Sequence, residues 1–465
     1  MLFSSITFLF YFLPAFLLVY FAVPFRLKNA VLLAFSLFFY AWGGVKYAAV
    51  MLLLIALGYI FGLLIERLRG RRASKLILGA GVAVTISFML YFKYTDFLLE
   101  NLGRLFGAEF PLPGIILPIG ISFYTFQIIS YLVDVYRGEE AQRNPVNLAA
   151  YVAMFPQLIA GPIVRYRDVA RELCHREHSF TDAGEGVRRF AVGLGKKVLI
   201  ANSMFELSEL MLAQQEKTVL SCWLYAVSVA LYIYFDFSGY SDMAIGLGRV
   251  LGFHFLENFN YPFISKSATE FWRRWHISLG SWFRDYLYIP LGGNRVPRGR
   301  FIFNIFAVWL FTGFWHGAAW NFLLWGVFFG VLLLIEKFRL ARYLERAPVL
   351  ARAYLLLAVL FSFVVFQAPT LGEAFTVIGG MLGFGTEGFA STEAVYYLKS
   401  YGVLLAAAAV GSTPAVKNLV LRLARSERLG RLVNAAEPLA ILSLIAAVTA
   451  FLVDSSSNPF LYFRF

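Results

Sequence analysis

Apolar runs of nearly membrane-spanning length follow one another along the whole chain. A helix needs about 20 predominantly apolar residues to cross the hydrocarbon core of a bilayer. Twelve runs approach that length: residues 2–23, 29–44, 46–65, 76–93, 115–136, 190–212, 219–237, 301–314, 318–336, 351–368, 396–411 and 436–453. Charged residues make up only 15% of the 465 residues, whereas soluble domains contain about 25%. The sequence therefore predicts an all-α, polytopic membrane protein of about 11–12 transmembrane helices in a single domain over residues 1–465. This composition excludes a soluble enzyme, a disordered chain and a nucleic-acid-binding protein.

The positive charges indicate how the chain is oriented. The formal net charge is +13, and basic residues cluster between apolar runs, within residues 67–75, 337–346 and 417–431. Such clusters are typical of cytoplasmic loops, and counting the spans from them places both termini on the outer face. Arg26 and Lys28 follow the first apolar run. A cleaved signal carries its charge in front of the run, so we expect the first span to be retained.

Two regions lack a clean apolar run. Residues 137–189 are polar and basic around a semi-apolar insert, and residues 238–300 mix glycine, tryptophan, arginine, aspartate and histidine. Irregular backbone is tolerated at membrane depth only where protein buries it or where it lines a cavity. We therefore expect both regions to form re-entrant or amphipathic segments on the cytoplasmic side that close a central site.

Two of the five histidines are candidates for catalysis. His316 lies in Trp315-His316-Gly317, at the break between two apolar runs. An ionisable side chain at membrane depth is energetically costly and is a functional candidate by default. A histidine pKa of about 6.5 also suits a general base. The alternative is a neutral imidazole that donates to a backbone carbonyl.

The second candidate, His276, lies in a segment where aromatic and cationic residues alternate, residues 271–286. One interpretation is an interfacial amphipathic helix with its tryptophans at the headgroup level. The other is a half-buried segment whose arginines bind an anionic ligand from the cytoplasm. The sequence pattern leaves both open.

One loop superficially resembles a metal site. It contains Cys174, His175 and His178, but a structural zinc ion needs four ligands and the sequence has no second cluster. The loop is basic, and we interpret it as a solvated surface segment. The sequence predicts no metal ion and, with only two cysteines, no disulfide framework.

Several motifs, in a fixed order along the chain, resemble those of one family. They lie at residues 1–5, 155–165, 234–244, 271–276, 288–295 and 315–317. With them the sequence resembles the membrane-bound O-acyltransferases, in the bacterial branch of the alginate O-acetyltransferase membrane subunit. The resemblance implies a ring of spans around a central funnel or tunnel, and a bacterial inner-membrane location with periplasmic termini. It matches His316 to the family's active-site histidine and His276 to the second histidine of this branch.

The resemblance implies acetyl transfer from a cytoplasmic donor, acetyl-CoA, with no bound cofactor. Lipid excludes a polyanion of this size, so the acyl group must pass through a tunnel. His316 is the expected base that takes the proton of the acceptor hydroxyl, and His276 either orients it or polarises the carbonyl. Arg273, Arg274 and Arg295 are the expected contacts for the donor phosphates.

The end of the chain, residues 458–465, is apolar and aromatic, unlike a disordered polar tail. One interpretation is an anchor at the membrane interface. The other makes Tyr462 the acceptor hydroxyl, because members of the family resemble this chain in ending on an aromatic motif around a tyrosine. An extended segment of this length spans roughly 26 Å, enough to fold back into a funnel.

The outward loops, about residues 94–114 and 369–395, are too short to form a second catalytic domain. We therefore expect an extracytoplasmic partner, an esterase-like protein of the SGNH type, to place the acetyl group on an exported polysaccharide such as alginate. Membrane lipids are the other expected contact. Transfer of D-alanine to teichoic acid and acetylation of peptidoglycan are alternatives within the family. A proton-coupled transporter with histidine and aspartate relays is the alternative of a different class.

Overall fold

The structure is a computed structural model that describes residues 1–454 and 458–461. Within this part the chain forms helices and loops and contains no β-strand, so the all-α prediction is confirmed. The residues divide into two compact units, residues 1–190 with 241–256, and residues 191–240 with 257–465. The single integral membrane domain stays a prediction.

The helices up to residue 250 are α1 (Leu13–Ala22), α2 (Phe25–Ala41), α3 (Val45–Arg67), α4 (Arg72–Phe106), α5 (Ile121–Arg137), α6 (Pro145–Ala153), α7 (Phe155–Leu158), α8 (Tyr166–Cys174), α9 (Phe180–Gly195), α10 (Asn202–Ala213) and α11 (Val219–Val250). Of these, α9 and α11 contribute residues to both units. The second unit continues with α12 (Ala268–Arg274), α13 (Ile277–Phe283), α14 (Arg298–His316), α15 (Trp320–Ile335), α16 (Ala341–Arg346), α17 (Pro348–Gln367), α18 (Leu371–Met381), α19 (Thr392–Gly411), α20 (Ala415–Ala424) and α21 (Glu427–Asp454). Shorter π-helical and 3-10 turns lie at Phe8–Phe12, Lys196–Ala201, Pro262–Ile264, Arg284–Tyr288 and Glu336–Leu340.

Every apolar run in the sequence is helical over at least part of its length. Among the described residues, seven helical segments are long and apolar enough to cross a membrane: Val45–Arg67, Arg72–Phe106, Val219–Val250, Trp320–Arg346, Pro348–Gln367, Thr392–Gly411 and Glu427–Asp454. The remaining predicted spans are helices that are shorter or more polar, such as Phe8–Ala22. The polytopic membrane character is confirmed, and the higher count of 11–12 spans stays a prediction.

One predicted span ends later than the sequence indicated. The apolar run predicts a span over residues 219–237, but α11 continues to Val250 and includes Asp236 and Asp242. Each aspartate forms an ion pair with a residue on an earlier segment: Asp236 lies 2.5 Å from Lys197, and Asp242 lies 2.9 Å from Arg189. Because these charges are compensated by tertiary contacts, the polar stretch remains helical.

The two regions without apolar runs consist of short helices and loops. Every residue of the insert at 151–164 is buried, and residues 251–297 carry α12, α13 and two short turns. The re-entrant or amphipathic placement of both regions relative to a bilayer stays a prediction.

A tight hairpin between α14 and α15 positions the residues discussed below. A Cβ atom at Gly313 would lie 2.3 Å from the carbonyl oxygen of Phe322, and one at Gly326 would lie 2.4 Å from that of Trp309. Real side chains do not tolerate such contacts, so glycine at both positions lets the two backbones approach closely. The end of α14 is thereby held against the start of α15.

Candidate active site

His316 is the last residue of α14, and only 7% of it is exposed. Three aromatic rings face its imidazole edge-on, with centroid distances of 5.0 Å to Trp315, 5.3 Å to Trp325 and 5.3 Å to Phe366. Edge-to-face packing is the favoured arrangement of such rings. An aromatic enclosure also lowers the local dielectric, which strengthens any hydrogen bond that the imidazole makes.

The chain turns sharply directly after His316, and the residues that follow explain how. A Cβ atom at Gly317 would lie 2.1 Å from the ring of Phe322, so this position accepts glycine alone. The Asn321 side-chain amide then donates to the carbonyl oxygen of Ala368 at 3.0 Å. This bond ties the start of α15 to the end of α17 and fixes the aromatic rings around the imidazole.

His276 joins α12 to α13 in a left-handed backbone conformation, with φ of 46°. Positive φ is uncommon outside glycine and is found disproportionately at functional sites. Its Nδ1 lies 3.1 Å from Oδ1 of Asn258. That oxygen also accepts from the backbone N–H of Ser278 at 3.2 Å and from its hydroxyl at 2.9 Å. Because two other donors identify the atom as an acceptor, Nδ1 of His276 carries a proton.

The environment of His276 keeps its imidazole neutral. Burial and, to a smaller extent, the nearby His316 hold the pKa of His276 well below its ordinary value of 6.5. Both causes penalise the charged form. A neutral imidazole with its proton on Nδ1 has a lone pair on Nε2, so His276 can accept a hydrogen bond there but cannot donate one.

The two candidate histidines line the same small cavity, of about 20 Å³. Its other walls are Ile233, Phe237, Trp275, Trp325, Phe363, Phe366 and Leu461. A cavity of this size holds about one water molecule. The structure thus brings together His316 and His276, which lie 40 positions apart in the sequence, in a nearly dry aromatic chamber.

A second, far larger cavity of about 1110 Å³ also has His276 in its wall. Four cationic side chains line it: Lys266, Arg273, Arg284 and Lys337. Three carboxylates line it as well: Glu270, Glu336 and Glu345. Glu336 is buried and accepts from the backbone N–H groups of Ala268 and Thr269 at 2.6 and 3.0 Å, so it caps α12 rather than facing a ligand.

The arginines predicted to bind a donor separate in the structure. Arg273 lines the large cavity, whereas Arg274 and Arg295 are not among the residues that line it. Arg274 pairs with Glu270 at 2.9 Å and donates to the backbone of Asn260. Arg273 forms no ion pair with a described residue, which leaves its guanidinium available to an anion.

Sequence reasoning missed three of the cations in this wall: Lys266, Arg284 and Lys337. Lys337 was counted only as a cytoplasmic charge after an apolar run. Arg284 belongs to the segment of alternating aromatic and cationic residues, and this pattern was a usable signal for it. Lys266 has no such signal, because only the fold brings it near the others.

The third predicted site residue, Tyr462, lies outside the described residues. Its neighbour Leu461 is described, is 3% exposed, and lines the cavity that contains both histidines. Leu461 is therefore part of the site.

The remaining histidines lie apart from these cavities. His254 pairs with Glu172 at 2.8 Å, and His178 lies 3.3 Å from the hydroxyl of Tyr20. Within residues 1–454 and 458–461, no cluster of three or more histidine, cysteine, aspartate and glutamate side chains has an arrangement suited to a metal ion. The loop at Cys174 thus contributes no such cluster to the described structure.

Sequence comparison relates the chain to known proteins. The model of the membrane-bound O-acyltransferase family matches residues 142–371, a range that contains both histidines. A probable alginate O-acetylase, AlgI, of Azotobacter vinelandii is 44% identical over 395 residues, which cover 83% of this chain and 79% of the relative. The peptidoglycan O-acetyltransferase of Helicobacter pylori is 33% identical over 82% of this chain and 80% of its own length. The teichoic acid D-alanyltransferase of Bacillus subtilis is 30% identical over 47% of this chain and 59% of its own length.

Proposed function

Because the chain belongs to the membrane-bound O-acyltransferase family and is an O-acyltransferase, we propose that it takes acetyl groups from acetyl-CoA and passes them across the bacterial inner membrane. The final acceptor is an exported polysaccharide. Alginate is the first choice, since the relatives of 44% identity carry the name alginate O-acetylase. Peptidoglycan is the second choice, because a relative of 33% identity acetylates it by name.

One observation carries the proposal: His276 lies in the walls of both cavities, and His316 lies in the wall of the smaller. The larger cavity has the size and the cations for a phosphate-bearing donor. Arginine and lysine bind phosphates through charge-assisted hydrogen bonds. With its phosphates at Arg273, Lys266 and Lys337, the donor directs its thioester toward His276.

The proposed reaction has two halves. In the first, His316 takes the hydroxyl proton of Tyr462 as the phenolic oxygen attacks the thioester carbonyl. The carbon–sulfur bond then breaks, and the leaving thiolate takes the proton from the imidazolium to give free CoA and an acetyl ester on Tyr462. In the second half, the extracytoplasmic SGNH-type partner takes the acetyl group from the tyrosine.

The tautomer of His276 favours one of its two predicted roles. Polarising the carbonyl would require a proton on Nε2, but the bond to Asn258 keeps the proton on Nδ1. A lone pair on Nε2 can instead accept a hydrogen bond from the chamber, either from His316 or from the acceptor hydroxyl. His276 is therefore proposed to orient the base and the acceptor.

The orientation in the membrane is proposed from the charge pattern, with basic loops in the cytoplasm and both termini in the periplasm. Cysteine at Ser426, in an exposed basic loop, tests the inner face, and cysteine at Glu109 tests the outer face. An impermeant thiol reagent added to intact cells should label position 109 and not position 426. The reverse pattern would overturn the orientation.

The central test of the chemistry is turnover of acetyl-CoA by the purified protein. His316→Ala should lower the release of CoA by about 10²–10⁴-fold, the usual effect of removing a general base. His254→Ala is the matched control, because His254 is exposed and lines neither cavity. Near-normal turnover by the His316 variant, with an unchanged melting profile, would contradict the proposal.

A further inference from the structure

A buried ion pair lies beside the active-site cavity. Lys197 and Asp236 are 1% and 0% exposed, and the lysine Nζ lies 2.5 Å from the aspartate Oδ1. Lys197 belongs to the π-helical turn Lys196–Ala201 and Asp236 to the middle of α11. Burying two charges is costly, and a buried pair by itself is weak evidence for a role in stability. The other contacts of the pair indicate what it is used for.

Those contacts lead to the C-terminal tail. The second carboxylate oxygen of Asp236, Oδ2, accepts from the backbone N–H of Leu461 at 3.1 Å. Lys197 also donates to the carbonyl oxygen of Pro459. The pair therefore binds the backbone of the tail on both sides of Phe460, with a donor for one residue and an acceptor for another.

Side chains around the pair hold the intervening and preceding tail residues. The ring of Phe460 packs on Tyr240 with a centroid distance of 5.0 Å. Asn202 accepts from Lys197 at 2.9 Å and donates to Asn458 at 3.4 Å. Every residue from 458 to 461 is thus bound to the pair, to Asn202, or to α11, or lies in the cavity wall.

These contacts fix the tail in one register. The clamp offers one donor and one acceptor, which match a carbonyl and an N–H group two residues apart. After a shift by one residue the pair would still meet a carbonyl and an N–H group, because every residue except proline has both, so the side chains of the tail decide between registers. Such a shift would separate Phe460 from Tyr240 and Asn458 from Asn202 and would move Leu461 out of the cavity. A shift that places Pro459 opposite Asp236 would leave the buried carboxylate without a donor, which is strongly disfavoured.

We propose that Lys197 and Asp236 form a clamp that holds residues 458–461 in register, and that acetylation of the adjoining Tyr462 depends on this register. Consecutive Cα atoms are about 3.8 Å apart, and Leu461 already lines the chamber of His316 and His276. The two residues are positioning residues, since they act on the reaction through the tail. The inference rests on the proposed function of Tyr462 as acetyl acceptor.

If the pair acts through the tail, its loss should affect hydrolysis of acetyl-CoA and acetylation of the tail differently. Loss of a purely structural pair would lower both reactions alike. Hydrolysis of acetyl-CoA by water needs His316 and the donor cavity, but not the tail register. Acetylation of the tail needs all three, and misplacement of an acceptor by about 1 Å can reduce the rate about 10²-fold. Lys197→Met and Asp236→Asn should therefore lower tail acetylation by about that factor and leave hydrolysis within a few-fold of wild type.

The measurement uses full-length protein in membranes without the extracytoplasmic partner, supplied with labelled acetyl-CoA. Acetylation of the tail releases one CoA per protein, so CoA released beyond that equivalent reports hydrolysis, and mass spectrometry of the C-terminal peptide reports tail acetylation. Lys197→Arg should restore part of the tail acetylation, because it keeps the charge and the donors. Equal loss of both reactions in the Met and Asn variants would reduce the pair to a structural role, and loss of neither would refute the clamp.

A pair of insertions tests the register without touching a buried charge. One glycine inserted before Asn458 lies upstream of the clamp, so residues 458–461 should seat as before and acetylation should be retained. One glycine inserted between Leu461 and Tyr462 lies downstream and displaces the tyrosine, so acetylation should fall about 10²-fold. Equal effects of the two insertions would overturn the proposal.

A cross-linking experiment keeps the clamp separate from the chemistry of Tyr462. Cysteines in place of Asn202 and Asn458, whose side-chain amide groups lie 3.4 Å apart, should be joined by a short bifunctional thiol reagent in the wild-type background and far less in Asp236→Asn. If Tyr462→Phe still acetylates polymer while the cross-link depends on Asp236, the relay fails and the clamp stands. A cross-link that is indifferent to Asp236 would refute the clamp whatever the chemistry.

Discussion

The contact between Asn258 and His276 makes the sharpest prediction about catalysis. Oδ1 of Asn258 accepts from Nδ1 of His276 and from both the N–H and the hydroxyl of Ser278. Asn258→Ala removes the acceptor of all three. The serine hydroxyl can rotate to another partner, which leaves two buried donors at about 1–3 kcal/mol each. We expect Asn258→Ala to lose about 2–6 kcal/mol of stability, together with the preference for one His276 tautomer.

Asn258→Asp changes the charge and almost nothing else. A carboxylate keeps the acceptor geometry, but an opposite charge at this distance raises the pKa of a histidine by about 1–3 units. Protonation of His276 on both nitrogens, which removes the lone pair on Nε2, would then begin at a higher pH than in the wild type. We expect the acid-side decline of kcat/KM to move to higher pH in Asn258→Asp, and the activity to recover as the pH is raised.

The assay is CoA release as a function of pH, with thermal unfolding in detergent measured alongside. Ser278→Ala is the control, because it keeps the bond between Asn258 and His276. It should leave the pH profile unchanged. A pH profile of Asn258→Asp that superimposes on that of the wild type would refute the assignment of the His276 tautomer. Full activity of Asn258→Ala would show that catalysis does not need this tautomer.

Three further expectations follow from the site. Gly317→Ala places a Cβ atom 2.1 Å from an aromatic ring and should lower the free energy of unfolding by about 1–3 kcal/mol, measured by thermal unfolding. Gly299→Ala is the control and should not lower stability, because the space around this position is open. Arg273→Gln should raise KM for acetyl-CoA about 10-fold by removing a charge-assisted phosphate contact, while Arg274→Gln should change KM less than 2-fold; equal effects would argue against the separation of the two arginines. His276 is neutral in the folded protein and titrates near 6.5 when unfolded, so acid protonates the unfolded chain first and the free energy of unfolding should decline as the pH falls below about 6.5. His276→Asn should flatten that decline in unfolding curves recorded between pH 7 and pH 5.

The helices were the predictable part of the structure, because the apolar runs encode them locally. The break at His316 was visible for the same reason, since Gly317 and the polar Asn321 interrupt two apolar runs. The continuation of α11 was not predictable. Asp236 and Asp242 have the appearance of a helix end, and only their partners Lys197 and Arg189, brought close by the fold, keep the segment helical.

The contacts that orient the side chains of the site likewise could not be predicted from the sequence. Asn258 lies in an irregular segment, and no local pattern links it to His276 or predicts the left-handed backbone there. The cations of the large cavity come from separate segments, so a cluster of arginines in one motif suggested Arg274 and Arg295 and missed Lys266. Local periodicity reports helices, whereas a site assembled from loops depends on tertiary contacts.

We propose above all that His316 acts as the general base for transfer of an acetyl group from acetyl-CoA to Tyr462. The most direct test is mass spectrometry of the C-terminal peptide from cells that lack the extracytoplasmic partner, in which no partner removes the acetyl group from Tyr462. We expect an acetyl group on Tyr462 in the wild type, none in Tyr462→Phe, and a reduction of at least about 10²-fold in His316→Ala. An unmodified Tyr462 in the wild type, together with full polymer acetylation by Tyr462→Phe when the partner is present, would contradict it.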